Sequence, residues 1–347
     1  MALPELRTGG IREIATVDLS SFITSPTHPD RTGAARELVR ILHETGFVKI
    51  TGHGFAKHEI DEALSWARKL FALPYEEKMK APHPVGNIHH RGYSGIGQEK
   101  VYMQDDLETQ GSQGLRKISD YKESYEIGSE HDPAQTNIWL PEDVLLGFRG
   151  SMNSLYARLV DVSRSILDAI GLGLGLDADA HAALMELVSE DHCQLRLLHY
   201  PPIGKEKLQH ELLTRMPAHT DWGTFTILFQ DDHGGLELKD PQSGEFLLAE
   251  PHEGALVLNV GDMLQRFTND HFISAVHQVS VPSQGVVNDS GIPARYSIPF
   301  FVMPGSTHTI RTLPNFITAE HPRKYEPVVF DEYGLMLTKY QYETIQT

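Results

Sequence analysis

From Gln194 onward the chain breaks into short runs of β-formers: 194–200, 224–229, 235–239, 255–260, 275–281 and 295–303. Turn-forming clusters separate some of them, Asp231-Asp232-His233-Gly234-Gly235 and Asp240-Pro241-Gln242-Ser243-Gly244. Many short strands at such spacing predict a sandwich or barrel, and the double-sheet jelly roll is the version that carries cupin-like metal sites. The texture before this point is different. Ile60, Ala63, Leu64, Ala67, Leu70 and Phe71 recur at helical spacing, with Pro74 soon after the expected stop. Phe148, Met152, Leu155, Leu159, Val162, Ile166 and Ile170 trace one face of a long helix that should end at Gly171. The stretch Gly171-Leu172-Gly173-Leu174-Gly175 follows a helix and does not link a strand to one, so it reads as a cap and turn, not a dinucleotide loop. Residues 80–145 show little periodicity and are rich in His, Gly, Gln, Asp and Lys, which predicts a long ordered loop over a site mouth. The expected fold is therefore mixed α/β of the α+β kind. A mainly helical N-terminal region, 1–190, precedes a jelly-roll core with a C-terminal extension, 191–347.

Composition narrows the function classes. A chain of 347 residues buries its own core. Its one cysteine, Cys193, excludes an intrachain disulfide, fits a reducing compartment, and reads as a small buried filler. Met1–Arg12 lacks an apolar signal core, and no run approaches the ~18 apolar residues of a membrane span. The expectation is a cytoplasmic protein without membrane, nucleic-acid or obligate protein partner. A formal charge of −17 disfavours anionic surfaces as partners.

The chemistry gathers around His219-Thr220-Asp221. In an extended chain the side chains at i and i+2 share a face, so His219 and Asp221 can reach one ion together. A third ligand must come from another strand, and His277 lies in the strand-like run Ser274–Val281. Two imidazoles and one carboxylate leave the other side of an ion open, an arrangement associated with non-haem Fe(II) oxygenases. In a chain with 19 His and 47 acidic residues, a lone His-x-Asp can arise by chance and is more often structural. The second constellation carries the weight. Arg295 and Ser297 share a face of an otherwise apolar run that includes Phe300-Phe301-Val302. A buried guanidinium there is costly unless an anion meets it, and it binds a carboxylate in bidentate fashion. That anion is either a protein carboxylate or a ligand.

In this order and spacing, His219, Asp221, His277, Arg295 and Ser297 match H-x-D, a distant H, then R-x-S. The chain resembles the isopenicillin N synthase-like branch of the Fe(II)/2-oxoglutarate-dependent dioxygenases. The likeness runs nearly throughout, through Thr16-Val17-Asp18-Leu19, Gly46–Gly54, Phe71–Lys78, Gly92-Tyr93, Leu195–Pro202, Asn259-Val260-Gly261-Asp262 and Thr268-Asn269. The resemblance implies Fe(II) on the triad, 2-oxoglutarate held at its far carboxylate by Arg295 and Ser297, and O2 as co-substrate. It also implies oxidative decarboxylation to succinate and CO2, coupled to hydroxylation, desaturation or ring rearrangement of a small molecule of secondary metabolism. Fe(II) with Asp221 carries +1, the dianion brings −2 and Arg295 restores +1, so the assembly is near neutral and tolerable when buried.

Further positions follow from the resemblance. Tyr200 falls near the co-substrate carboxylate, and Arg196 lies on the same strand face at a substrate-contacting position. Arg91, Tyr93 and Phe300 are candidate substrate-pocket residues, with Arg91 and Tyr93 nearest the substrate, which is expected to be moderately sized and largely apolar. Two other chemistries share the ligand set. An oxidase of the isopenicillin N synthase type keeps R-x-S but dispenses with 2-oxoglutarate, and a cupin-shaped zinc hydrolase would leave Arg295 and Ser297 without a task.

Overall fold

The computed structural model describes residues 14–24, 27–86, 90–99, 120–204, 215–241, 243–280 and 291–338. With elements numbered in chain order, one eight-stranded sheet runs β1 (Thr16–Asp18), β2 (Phe47–Thr51), β10 (Leu256–Val260), β7 (Phe225–Gln230), β12 (Arg295–Val302), β5 (Gln194–Tyr200), β4 (Glu123–Ile127), β3 (Gly92–Ser94). A four-stranded sheet runs β6 (Met216–His219), β11 (His277–Val279), β8 (Leu236–Lys239), β9 (Phe246–Leu248). The two sheets pack face to face. Leu236 and Leu238 of the small sheet meet Phe47 and Val257 of the large one, and Met216 and Val279 meet Leu198 and Tyr200. This is the jelly roll expected from the short-strand pattern.

The period-two alternation of the large sheet decides what lies on each side. Along β12, Ile298, Phe300 and Val302 enter the main hydrophobic core, while Arg295, Ser297, Pro299 and Phe301 line a cavity between the sheets. Likewise Leu256, Leu258 and Val260 of β10 face the core, and Asn259 faces the cavity. The core lies between the outer face of the sheet and a helical layer of α2 (Arg31–Thr45), α3 (Lys57–Phe71) and α5 (Phe148–Leu174). Each fully buried side chain such as Phe300 contributes about 1.5–3 kcal/mol, so this face holds the sheet rigid while the other is left for chemistry. The short helices are α1 (Ser20–Thr24), α4 (Tyr75–Lys78), α6 (Ala178–Met185), α7 (Asp262–Phe267) and the C-terminal α8 (Phe330–Thr338). A small ladder of β13 (Thr309–Ile310) and β14 (Val328–Val329) stands apart from both sheets.

Two expectations change. The 80–145 region is not only loop: β3 and β4 lie within it and extend the large sheet beyond β5, with Tyr125 opposite Leu197 and Glu126 opposite Arg196. Glu123, Ser124 and Glu126 are polar yet buried, so an apolar periodicity count passes over this strand. Residues 100–119 lie outside the described residues. The long helix also does not stop at Gly171. It continues to Leu174, and Gly175 is the left-handed cap at φ 67°. Gly171 and Gly173 are close-packing points inside the helix: a Cβ on Gly173 would lie 2.3 Å from the Ala35 carbonyl oxygen of α2.

The turn from α2 into β2 needs glycine. Gly46 caps α2 at φ 70°, and a Cβ there would lie 2.6 Å from the Ile273 carbonyl oxygen and 2.8 Å from Ala275 Cβ. Gly46→Ala is expected to destabilise the fold by about 2–4 kcal/mol, summing left-handed strain and overpacking. Gly33, in the first turn of α2 with nothing within 4 Å of its would-be Cβ, is the control. Gly33→Ala should stabilise by about 0.5–1 kcal/mol. Urea unfolding of both variants reads the contrast, and equal midpoints would contradict it.

Candidate metal centre

His219 ends β6 and His277 begins β11, and the two are register partners in the small sheet. Their rings lie 4.2 Å apart, centre to centre. Nδ1 of His219 lies 2.8 Å from the Pro217 carbonyl oxygen, and Nδ1 of His277 lies 3.0 Å from that of Ala275. Donating Nδ1–H to a carbonyl leaves each Nε2 with a bare lone pair. Both Nε2 atoms face Asp221 Oδ1, at 3.9 Å from His219 and 3.8 Å from His277. Those spans are less than two metal–ligand bonds of about 2.1 Å each, so one ion can bridge them. The structure thus brings together the three residues that the sequence pattern singled out.

The other carboxylate oxygen is occupied. Asp221 Oδ2 accepts hydrogen bonds from Thr226 Oγ1 at 2.6 Å and Asn259 Nδ2 at 2.7 Å. Thr226 and Asn259 are themselves partners across β7 and β10. These two donors orient Oδ1 toward the imidazoles and were missed in the sequence. The signal was available, because Asn259 and Thr226 each sit at an inward position of an alternating strand.

The protonation states suit ligation. Burial, and then the charge of His277, pull the His219 imidazole down to about 3, so it is neutral near pH 7. Burial alone would raise the Asp221 carboxyl. The neighbouring imidazoles of His277 and His219, with the hydrogen bonds from Thr226 and Asn259, outweigh it and hold the group below the usual range. Two imidazole nitrogens and a carboxylate, with no fourth side chain in the cluster among the described residues, fit an open-sided divalent ion.

Arg295 lines the same cavity, of about 50 Å³, and is 1 % exposed. Its Nη1 donates to Ser297 Oγ at 3.0 Å and its Nη2 to Gln230 Oε1 at 3.1 Å, while Nε has no partner. Among the described residues no carboxylate pairs with it. The alternative of a structural ion pair is therefore set aside, and the guanidinium faces a cavity that also holds the triad. Tyr200, the register partner of Arg295, lines this cavity, with its ring centre 5.2 Å from the guanidinium carbon.

Arg196 also lines the cavity, but as one member of a buried network. It pairs with Glu99 at 2.9 Å and with Glu126 at 3.0 Å, and Lys122 pairs with Glu99. Three sequence candidates lie elsewhere. Phe300 faces the core and meets the Tyr156 ring edge-on at 5.3 Å, because it alternates with Arg295 and Ser297. Its neighbour Phe301 lines the cavity instead, and the parity that paired Arg295 with Ser297 already pointed to it. The Tyr93 hydroxyl donates to Glu123 at 2.5 Å and its ring is buried outside the cavity. Arg91 is buried against Asp132 at 3.0 Å and does not line the triad cavity.

Arg91 instead lines a second cavity of about 170 Å³ with His90, Asp132, Gln135, Trp222 and Asp331. Gln194 and Met303 also border it, each the next same-face position beyond Arg196 and Phe301, and Trp222 directly follows Asp221 in the chain. One face of β5 and β12 therefore leads from Arg295, past the triad, to this chamber. Burial pulls His90 down to about 4, so the chamber presents a neutral imidazole.

Asn259→Leu is expected to weaken binding of a divalent ion about 10- to 100-fold, the usual cost of losing an orienting partner of a ligand. Thermal midpoints with and without Mn(II) check this. An ion-dependent stabilisation equal to that of the unsubstituted chain would contradict it.

Comparison with known proteins agrees with this geometry. Residues 14–143 match the model described as non-haem dioxygenase in morphine synthesis N-terminal, and residues 191–304 match that of the 2OG-Fe(II) oxygenase superfamily. A proline hydroxylase, buaE, of Petromyces alliaceus is 37% identical over 322 residues, covering 90% of this chain and 94% of its own. A 2-oxoglutarate-Fe(II) type oxidoreductase, ppzD, of Metarhizium rileyi is 35% identical over 325 residues, covering 93% and 90%. Among solved structures, a full-length Neurospora crassa protein in complex with alpha-KG and thymine superposes with a TM-score of 0.81 at 31% identity, covering 96% of this chain and 98% of that one.

Proposed function

We propose an assignment of roles within a chain that belongs to the 2OG-Fe(II) oxygenase superfamily, a non-haem dioxygenase that couples oxidative decarboxylation of 2-oxoglutarate, to succinate and CO2, to oxidation of a small molecule of secondary metabolism. His219, Asp221 and His277 hold the Fe(II). Arg295 and Ser297 take the far carboxylate of 2-oxoglutarate, and Tyr200 walls that carboxylate in. The observation that carries the reading is the buried Arg295 guanidinium, without a carboxylate partner among the described residues, in one cavity with the triad. Fe(II), when bound, supplies the centre at which O2 and 2-oxoglutarate react. The chain's own residues bind, orient and exclude water: Thr226 and Asn259 fix the ligand carboxylate, and Leu198, Leu228, Pro299 and Phe301 keep the walls apolar.

The prime substrate, on this reading, occupies the chamber bordered by Arg91, Gln135 and Trp222. Its volume of about 170 Å³ is below the ~300 Å³ at which pockets for drug-sized ligands begin. Its lining sets His90, Arg91, Asp132, Gln135 and Gln194 beside Trp222, Met303 and Phe330, so a small molecule that combines an apolar body with hydrogen-bonding groups suits it better than the largely apolar substrate expected from sequence. The relative named as a proline hydroxylase and the structural neighbour holding thymine are consistent with a compact ring compound. Arg196, tied to Glu99 and Glu126, stands between the chamber and the iron site as a positioning residue. The proposed home is a reducing, cytoplasmic setting, supported by the lone Cys193, whose thiol burial pushes up to about 12. No helix among the described residues is long and apolar enough to cross a membrane.

Anaerobic Fe(II) with 2-oxoglutarate should give a visible charge-transfer band in this protein. His219→Ala and His277→Ala should each abolish it together with succinate formation, since an open three-ligand site has no spare ligand. Full retention of both in either variant would sink the triad assignment.

Arg295→Leu should weaken 2-oxoglutarate binding roughly 30- to 800-fold, for the loss of a charge-assisted bidentate contact of about 2–4 kcal/mol. Ser297→Ala should cost about 0.5–1.5 kcal/mol. Titrating the same absorption band ranks the two, and a reversed order would misplace the far carboxylate.

A further inference from the structure

Arg215 precedes β6 and is 0 % exposed, which makes it one of the largest wholly buried side chains described. Its Nη2 donates to the Pro293 carbonyl oxygen at 2.6 Å, while Nε and Nη1 have no hydrogen-bond partner. No carboxylate pairs with it among the described residues. A buried guanidinium in that state is costly unless something nearby compensates it. Its guanidinium carbon lies 5.8 Å from the centre of the Tyr200 ring, and that of Arg295 lies 5.2 Å from the same ring. One phenol ring therefore contacts two buried cations. Burial, and then the Arg295 charge, pull the Arg215 guanidinium down to about 10; the buried Asp231 carboxylate acts in the opposite sense but more weakly, so the repulsion between the two cations is felt. Only one of them lines the cavity.

Resting on the reading that Arg295 binds the far carboxylate, we propose that Arg215 is a positioning residue that makes the cavity selective for a dianionic 2-oxo acid. Two like charges around one ring form a site that is short of negative charge until a second carboxylate arrives. The incoming carboxylate pairs with Arg295 directly and is attracted by Arg215 through the ring. The same short segment also holds Tyr200: its hydroxyl donates to Met216 Sδ at 3.7 Å, and Met216 follows Arg215 in the chain. Arg215 lines neither the triad cavity nor the second chamber, so its contribution should be confined to the charge of the co-substrate.

The test compares two ligands of equal chain length on the Fe(II)-loaded protein without oxygen. 2-Oxoglutarate carries the far carboxylate, and 2-oxopentanoate has a methyl group in its place. Arg215→Met should weaken 2-oxoglutarate on the order of ten-fold and 2-oxopentanoate by less than about two-fold, the scale for one added charge several ångströms away at an effective dielectric of ~20. Arg215→Lys should recover most of the preference. Equal losses for both ligands would reduce Arg215 to a packing residue and overturn the proposal, as would no loss for either. Should Arg215→Met fail to fold, the same pair of affinities on Arg215→Gln decides. The two readings separate cleanly: unchanged 2-oxoglutarate affinity in Arg295→Leu overturns the underlying assignment, whereas a weakened Arg295→Leu beside an unaffected Arg215→Met overturns only the role of Arg215.

Discussion

The carboxylate of Asp221 is the joint between the two sheets. Its Oδ2 is held by Thr226 and Asn259, neighbours on β7 and β10 of the large sheet, and its Oδ1 faces His219 and His277, partners on β6 and β11 of the small one. A buried carboxylate needs compensation on both oxygens. Here one oxygen is satisfied by neutral donors that also fix its rotation, and the other is left for a cation and two imidazoles. The imidazoles in turn are pinned at Nδ1 by the carbonyls two residues back in the chain, so neither ring can turn its lone pair away. The site is therefore assembled by folding, and a metal ion completes a charge arrangement that already exists.

How much of this could be read beforehand depended on period and on polarity. β5, β7, β8, β10 and β12 emerged within a residue or two from their apolar, β-branched runs, because one face of each is core. β4 did not, because its buried residues include Glu123 and Glu126, whose partners His199, Lys78 and Arg196 come from distant parts of the chain. Compensation of that kind is invisible in a local pattern. The triad and Arg295/Ser297 were legible because a two-residue spacing on a strand is itself a geometric statement. Phe300 was misplaced for want of the same rule: an aromatic three positions after Ser297 lies on the opposite face, and only Phe301 can share the cavity. Arg91 was assigned to the substrate side by resemblance, and it lines a chamber there, but its ion pair with Asp132 could be known only from the fold.

Charge governs the cavity from end to end. Arg295 and Arg215 put two cations beside Tyr200, the triad adds a carboxylate and two imidazoles, and Arg196 and Lys122 are paired with Glu99 and Glu126. Neither Arg295 nor Arg215 has a carboxylate paired with it among the described residues, although the chain as a whole carries a formal charge of −17. A net acidic surface does not favour the arrival of an anion. The co-substrate's affinity must then come from desolvated contacts within the cavity and not from long-range attraction, which salt screens and a buried guanidinium escapes.

The order of sites along β5 and β12 ties this charge map to the chemistry. Both strands present the same face in register: Tyr200 and Arg295, then Leu198 and Ser297, then Arg196 and Pro299, then Gln194 and Phe301, with Met303 just beyond β12. The face continues without changing side across both cavities, so the triad cavity between the sheets and the chamber beyond it share one wall. The opposite face of the same strands is Phe300, Ile298 and Leu197, all at 0 % exposure against the helices. A one-residue slip in either strand would exchange the two faces, placing Arg295 in the core and Phe300 over the iron, at a cost of several buried side chains at about 1.5–3 kcal/mol each. Register thereby links stability to function: the helical layer that looks remote from the reaction is what keeps every functional side chain on the reacting side.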